Sequence, residues 1–364
     1  MEARRLKIAF VAPLVTPIRE PQLGGSQALL ADIAAGLTNR GHDVSVFAST
    51  GSSIDDVHVV DTGVDSSDLA DTFFRAGEKH AKASTAASDA FQRVYELIAE
   101  GEHEVVHNHA FDIPAITWAQ TITAPVVHTV HLPPDEAVAT ALNDSRRSGT
   151  VVVACVSGPH AESWSAHTKV DLVLRNGVPV DRIPWSAEAD EGALFAGRFS
   201  PEKGAAEAIE IAKRAGTQLI LVGNAYDEEY ASASIEPHRG DPGIDVCDAL
   251  VRAELWGVMA RSRAVLCPVL WDEPFGLVAA EAQAAGTPVI AFGRGGLVDV
   301  VRDGVTGALV DDVDAAAREL KKADRFERHA CREHAERNLS LEGTLDAHEA
   351  LYVRIANRPQ ASIG

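Results

Sequence analysis

Short apolar runs alternate with amphipathic stretches along almost the whole chain of 364 residues. KIAFVAP (7–13) predicts a buried strand. After a loop ending in LGGS, Leu29, Leu30, Ile33 and Leu37 share one face of a helix from about Gln27 to Arg40, and Gly41 is placed to cap it. HDVSVFAS (42–49), EVVHNHA (104–110), PVVHTVH (125–131), TVVVACVS (150–157) and KVDLVLRNGV (169–178) predict further strands, while 68–99 reads as largely helical. After NGVPVDRIPW the pattern restarts. Strands are predicted at 192–199, 218–224, 264–270 and 288–293, with helices at 201–215, 250–262 and 276–285. Leu345, His348, Leu351, Tyr352 and Ile355 then form the stripe of a terminal helix. Strands alternating with helices predict an α/β protein with two doubly wound parallel sheets. The domain boundaries read as 1–183, 184–340 and a terminal helical segment 341–364.

Composition narrows the partners. Hydrophobic residues make up 46% and charged residues 24%, as in an ordinary globular protein with a sizeable core. A formal net charge of −20 argues against nucleic acid and against broad attraction to anionic membrane. An anionic ligand must therefore be held by a local positive site against the global field. The four cysteines (Cys155, Cys247, Cys267, Cys331) lie far apart without a CxxC pair, which predicts reduced thiols in a cytoplasmic protein. MEARRLKIAFVAPLV mimics a signal peptide but runs into TPIREPQLGG, so a buried first strand is the better reading. No run approaches the ~20 apolar residues of a membrane span, so no stable insertion is expected. The oligomeric state stays open.

Doubly wound domains bind ligands outside the carboxyl ends of their strands. The candidate chemistry falls there. In DEPFGLVAAEAQAAGTPVIA (272–291), Glu273 lies in a loop and Glu281 stands eight residues on, inside an apolar helical run. A helix starting near Gly276 points the amides of Phe275, Gly276 and Leu277 outward, which makes an anion site. Eight residues span ~12 Å if all are helical, roughly the reach from a sugar to a ribose across a diphosphate. Two carboxylates accepting hydroxyl bonds would then flank phosphate-binding amides. The plainer alternative is an acidic helix start and a solvated helix residue.

In FAGRFSPEKG (195–204) a tight turn separates Arg198 from Lys203, two cations suited to an anionic leaving group. LGGSQ (23–27) precedes the first helix, where Gly24 and Gly25 permit close approach to a phosphate. VHNHAFD (106–112) and HTVHLPP (128–134) put histidines, including His109, at two strand ends. Such rings can bond sugar hydroxyls. His-x-His also suits a metal, but no third ligand has convincing spacing. FGRGGLVD (292–299) reads as a turn, and neither GxSxG nor a catalytic triad is visible.

Taken jointly, these motifs resemble the family-4 retaining glycosyltransferases of the GT-B fold. LGGSQALLADIAAGLTNRGHDVSVFAS looks like the family's opening, VVHNHAF like its His-x-His strand end, and FAGRFSPEKG like its Gly-Arg-x4-Lys-Gly turn. EPFGLVAAEAQAAGTPVIA looks like its Glu-x7-Glu signature, the most specific of the four. The resemblance implies two Rossmann-like domains facing across a cleft, with the terminal helix crossing back to the first. It implies a nucleoside-diphosphate sugar as donor, bound by the second domain, and an unidentified hydroxyl acceptor. Arg198 and Lys203 would hold the diphosphate in place of a metal, so no cofactor is expected. Glu273 would bind sugar hydroxyls beside the Phe275–Leu277 backbone, and Glu281 the ribose. Gly25, with Gly24, would meet the phosphate, and His109 the sugar near the reacting centre.

The chain departs from the pattern in places. Ser26 and Gln27 stand where Thr-Glu is common, and Asp299 replaces a common Glu. IDVCDAL (244–250) is expected to be the base-binding turn, with Val246 as its donor-binding candidate, but Asp248 stands where a glycine is usual. That leaves uridine and guanosine both open. A GT-B-like epimerase and a non-catalytic sugar-nucleotide binder are the alternatives. Residues 50–100 are expected to shape the acceptor side. Phe73 and Phe74 beside Arg75, Lys79 and Lys82 could face a lipid surface, although interspersed acids make a solvated helix the expectation.

Overall fold

The apolar runs become the interiors of two separate parallel sheets. The computed structural model describes residues 4–22, 24–72, 85–147, 150–190 and 192–357. Phe73, Phe74, Arg75, Lys79 and Lys82 lie outside them. Two compact units form: Met1–Arg19 with Ser26–Arg175 and Glu342–Gly364, and Glu20–Gly25 with Asn176–Leu341.

In the first unit the elements run β1 (Lys7–Val11), α1 (Gly25–Asn39), β2 (Asp43–Ala48), β3 (His58–Asp61), α2 (Thr85–Ala99), β4 (Val105–Asn108), α3 (Ile113–Trp118), β5 (Val126–Thr129), α4 (Glu136–Ser145), β6 (Val151–Cys155), α5 (Gly158–Ser165) and β7 (Leu172–Val173). The sheet order is β3-β2-β1-β4-β5-β6-β7, parallel throughout. The winding reverses between β1 and β4, which opens a crevice past their carboxyl ends. Ile8↔Val105 and Val11↔Asn108 fix the register there.

The second unit runs β8 (Ala193–Ala196), α6 (Ala205–Ala215), β9 (Leu219–Val222), α7 (Glu228–Ser234), β10 (Ile244–Cys247), α8 (Arg252–Arg261), β11 (Ala264–Cys267), α9 (Leu277–Ala284), β12 (Val289–Phe292), α10 (Leu297–Val300), β13 (Gly307–Val310), α11 (Val313–Leu320) and α12 (Arg328–Asn338). Its order β10-β9-β8-β11-β12-β13 reverses between β8 and β11. Phe195, Ile209, Leu219, Leu221, Leu266, Ile290 and Leu320 fill its core, each worth about 1.5–3 kcal/mol of burial. Helix α6 shows why these segments fold as they do. Gly204 and Gly216 both adopt left-handed backbone at its two ends, and Ala208, Ile209, Ile211 and Ala212 make its buried face. Lys213 and Arg214 occupy the last turn, where a cation meets the negative end of the dipole.

The last helix, α13 (Leu341–Ala356), buries Thr344, Leu345, His348, Leu351, Tyr352 and Ile355. From Glu342 on it belongs to the first unit. Gly36 of α1 has no side chain because Leu345 fills the space: a Cβ there would stand 2.5 Å from Leu345 Cδ1. Arg40 pairs with Glu342, Asp346 and Glu349, and His42 Nε2 lies 2.9 Å from Glu349.

The two compact units divide at Arg175/Asn176, and Glu20–Gly25 packs with the second unit. The reason is local: the Arg252 amide donates to Glu20 Oε2 at 3.1 Å, and Gly25 lies against Leu277. Residues 244–250 are not a turn, since they begin as strand β10. Strand 169–178 shrinks to the two residues of β7. Edge strands β3 and β13 give no apolar run long enough to read.

Candidate functional site

In the second unit the crevice between β8 and β11 is bounded by the loops 197–204 and 268–276. Gly204 lets them touch. It has φ +76°, and a Cβ there would be 2.0 Å from the Pro268 oxygen. The turn Pro201–Lys203 therefore lies against the loop that follows β11. Lys203 Nζ donates to Glu273 Oε2 at 2.7 Å, Trp271 Nε1 donates to the same oxygen at 2.7 Å, and the ammonium lies 4.7 Å from the Trp271 ring centre. The Lys203 and Glu273 side chains are 21% and 14% exposed, enough for a ligand to reach both. Arg198 stacks 4.0 Å over Tyr226 and donates to Glu202 at 3.2 Å. Glu202 is itself buried and takes a second bond from Ser200.

Helix α9 begins beside this pair. Gly276, at φ +99°, is its N-cap, and no side chain caps it. The amides at such an end point to whatever occupies the crevice. Phe275 is buried. The loop is held from behind by Gly295 and Gly296. The Gly296 amide donates to the Glu273 oxygen at 2.6 Å, and a Cβ on Gly296 would stand 2.5 Å from the Pro274 oxygen. The stretch read as a plain turn is thus the support that shapes the Glu273 loop.

Glu281 is not solvated: it is 4% exposed on the second turn of α9. Its Oε1 accepts from Arg252 Nε at 3.2 Å and Nη2 at 2.8 Å. Each of the three cations here, Arg198, Lys203 and Arg252, is paired with a carboxylate, so an incoming anion exchanges partners and need not create a charge. Gly25 opens α1 against Leu277, with Gly24 before it. Val246 sits in β10 with its side chain packed on the core and its carbonyl bonded to Arg239.

Sequence reasoning missed Arg252, Tyr226, Trp271, Glu202 and Glu20. Arg252 carries a readable signal. It is the first residue of α8, where a cation opposes the helix dipole, so its charge must answer something else in the fold.

His109 belongs to the first unit, directly after β4 at that unit's own crevice. Its ring lies 4.1 Å from that of His107 and is stacked 5.1 Å from His131, with Nδ1 3.0 Å from His131 Nε2. His109 Nε2 is buried with no partner among the described residues. His107 is held by the Tyr352 hydroxyl at 2.5 Å on Nδ1 and by Thr129 at 2.7 Å on Nε2. Burial, with neighbouring imidazoles second, holds His107 and His109 well below the usual histidine range. Burial pushes His128 and His131 down to about 3 and His348 to about 4. These rings are neutral donors and acceptors at pH 7, not cations. Among the described residues no three His, Cys, Asp or Glu side chains converge as a metal set.

Known proteins share this pattern. Residues 23–182 match the model of Glycosyltransferase Family 4, and residues 182–337 that of Glycosyl transferases group 1. The chain is 31% identical over 248 residues to a glycogen synthase of Mycobacterium tuberculosis, a match spanning 58% of this chain and only 58% of that protein's length. It is 27% identical over 411 aligned residues to a D-inositol 3-phosphate glycosyltransferase of Geodermatophilus obscurus, covering 98% of this chain and 91% of the relative. A sucrose-phosphate synthase structure from Thermosynechococcus elongatus superposes with a TM-score of 0.79 at 18% identity, over 96% of this chain and 99% of that one, a likeness of fold.

Proposed function

Because the chain belongs to the family-4 glycosyltransferases of the GT-B fold, we propose that it moves a sugar from a nucleoside-diphosphate sugar to a hydroxyl acceptor. Anomeric configuration is retained and no metal is used. The observation that carries this reading is the Lys203–Glu273 pair, 2.7 Å apart beside the uncapped start of α9.

Breaking the bond from the anomeric carbon to the phosphate oxygen sends an electron pair to the diphosphate. Lys203, Arg198 and the first amides of α9 stabilise the charge that develops there. As the diphosphate takes Lys203, Glu273 turns to the sugar hydroxyls, and Phe275, Gly276 and Leu277 offer backbone beside it. Gly24 and Gly25 leave room for the phosphate. Glu281 takes the ribose hydroxyls. Val246 keeps its donor-binding assignment through the strand end that it occupies. His109, neutral and with Nε2 unpaired among the described residues, contacts the sugar as a hydrogen-bonding partner.

No carboxylate takes the role of nucleophile in this scheme. The acceptor oxygen attacks the face that the phosphate leaves, and its proton passes to the departing phosphate oxygen, so no separate base is needed. Two fixed cations do the work that a divalent ion would otherwise do. The cytoplasm is the matching compartment, because Cys247 is free and exposed. No described helix is long and apolar enough to cross a membrane.

Calorimetry with UDP, GDP and ADP, without metal, on the wild type and on Lys203→Ala tests this reading. Tight binding of one diphosphate that weakens in the variant supports the site and names the base. Binding of none rejects the nucleotide reading.

A further inference from the structure

Beyond these roles, and resting on the reading of Glu281 as the ribose carboxylate, we propose that Arg252 is a positioning residue for Glu281, and that Glu20 holds Arg252 in turn. The geometry runs in one line. Glu20 Oε2 accepts the backbone N–H of Arg252 at 3.1 Å. That amide opens α8, whose N-cap residue Val251 offers no side-chain bond, so Glu20 serves as a cap supplied from a distant loop. From the same residue the guanidinium reaches Glu281 by two N–H bonds and lies 4.9 Å over the Trp256 ring.

Both bonds end on Oε1 of Glu281, and Oε2 takes none among the described residues. One oxygen is pinned and the other is turned loose for a ligand. A glutamate side chain has wide rotamer freedom, and ordering it on binding weakens affinity. Here the ordering is done before the ligand arrives. A lysine could supply the charge but not two N–H donors held in one rigid fork that converge on the same carboxylate oxygen. The Arg252 side chain is only 11% exposed and Glu281 5%, so the pair is sheltered from competing water. Glu20 is continuous with Gly24 and Gly25, the loop assigned to the phosphate, and so the ribose and phosphate contacts share one support.

The proposal is read in a ratio. UDP, GDP and ADP, and the 2′-deoxy and 3′-deoxy forms of whichever binds, are titrated against wild type, Arg252→Ala, Arg252→Lys and Glu20→Ala. A hydroxyl bonded to a charged partner is worth about 10- to 100-fold in affinity, and the wild type should show that preference for the full ribose. Arg252→Ala should reduce it to under about 3-fold, with Arg252→Lys in between and Glu20→Ala losing about 3-fold of it. A merely structural role would weaken ribose and deoxyribose ligands equally and leave the ratio unchanged. An unchanged ratio in Arg252→Lys, the variant that keeps the charge and the fold, overturns the proposal. So does a wild type that binds diphosphate without any ribose preference. A wild type that binds none of UDP, GDP and ADP rejects the nucleotide reading itself, and this role with it.

Discussion

The two units carry polar clusters at equivalent places, past the carboxyl ends of the strands where each sheet reverses, and the clusters are built in opposite ways. In the first unit His107, His109, His128 and His348 are buried and His131 is half-buried, all of them discharged, and they are held by one another's rings, by hydroxyls on His107, by the Asn108 amide on His128 and by a backbone carbonyl on His348. In the second, Arg198, Lys203 and Arg252 each have a carboxylate within 3.2 Å. Burial without a counter-charge leaves a titratable group neutral. Burial beside one preserves the ion, and it then meets an anion by changing partners. A neutral cluster suits hydroxyl recognition, and a paired-ion cluster suits a diphosphate.

That contrast can be broken, and the largest effect should come from Lys203→Ala. Turnover should fall by about 10²–10³-fold, the cost of removing one transition-state donor, with little change in melting temperature. Steady-state rates beside a thermal melt decide it, and wild-type-like turnover removes Lys203 from the mechanism.

The next effect belongs to the first unit and depends on pH. His131 at about 3 and His348 at about 4 stay neutral in the folded state, while the unfolded chain takes up protons below the ordinary value of 6.5. The penalty to folding is absent above 6.5 and grows as the pH falls toward the folded values, because in that window only the unfolded chain gains protons. Between pH 6.5 and 5 each such ring should cost up to about 2 kcal/mol. Urea melts across that range should show the loss, and His348→Gln should flatten it. A pH-independent midpoint in wild type would contradict the neutral-cluster description.

Glu281→Ala sharpens the second half of the contrast. Ribose contacts act equally in ground and transition states, so donor KM should rise about 10-fold with kcat nearly unchanged. A loss confined to kcat would place Glu281 in the chemistry instead. The smallest expected effect is none at all: with Arg198 and Lys203 in place, dialysis against a chelator should leave the rate of sugar transfer intact. Loss of activity that returns with a divalent ion would refute the idea that two side chains do a metal's work.

The legibility of the chain follows the same physics. Interior strands were readable because both faces are covered, which demands continuous apolar runs such as LFA in β8 and VLC in β11. The four edge strands β3, β7, β10 and β13 were missed or misjudged, because an edge is short and half solvated: HVVD and IDVC look like loops. At the site, Arg198, Lys203, Glu273 and Glu281 could be named from spacing within single segments. What each one touches could not. Lys203 meets Glu273 across 70 positions of sequence and Arg252 meets Glu281 across 29, pairings that only the sheet order creates.

The docking of Leu345 on Gly36 also has a consequence for how the protein is made on the ribosome. The first unit opens the chain, yet its last helix is translated only after Asn176–Leu341, a wait of about 10–30 s at ordinary elongation rates. The second unit, nearly continuous in sequence, can mature during that interval. The earlier-synthesised half must hold its apolar face for α13 in reserve until then.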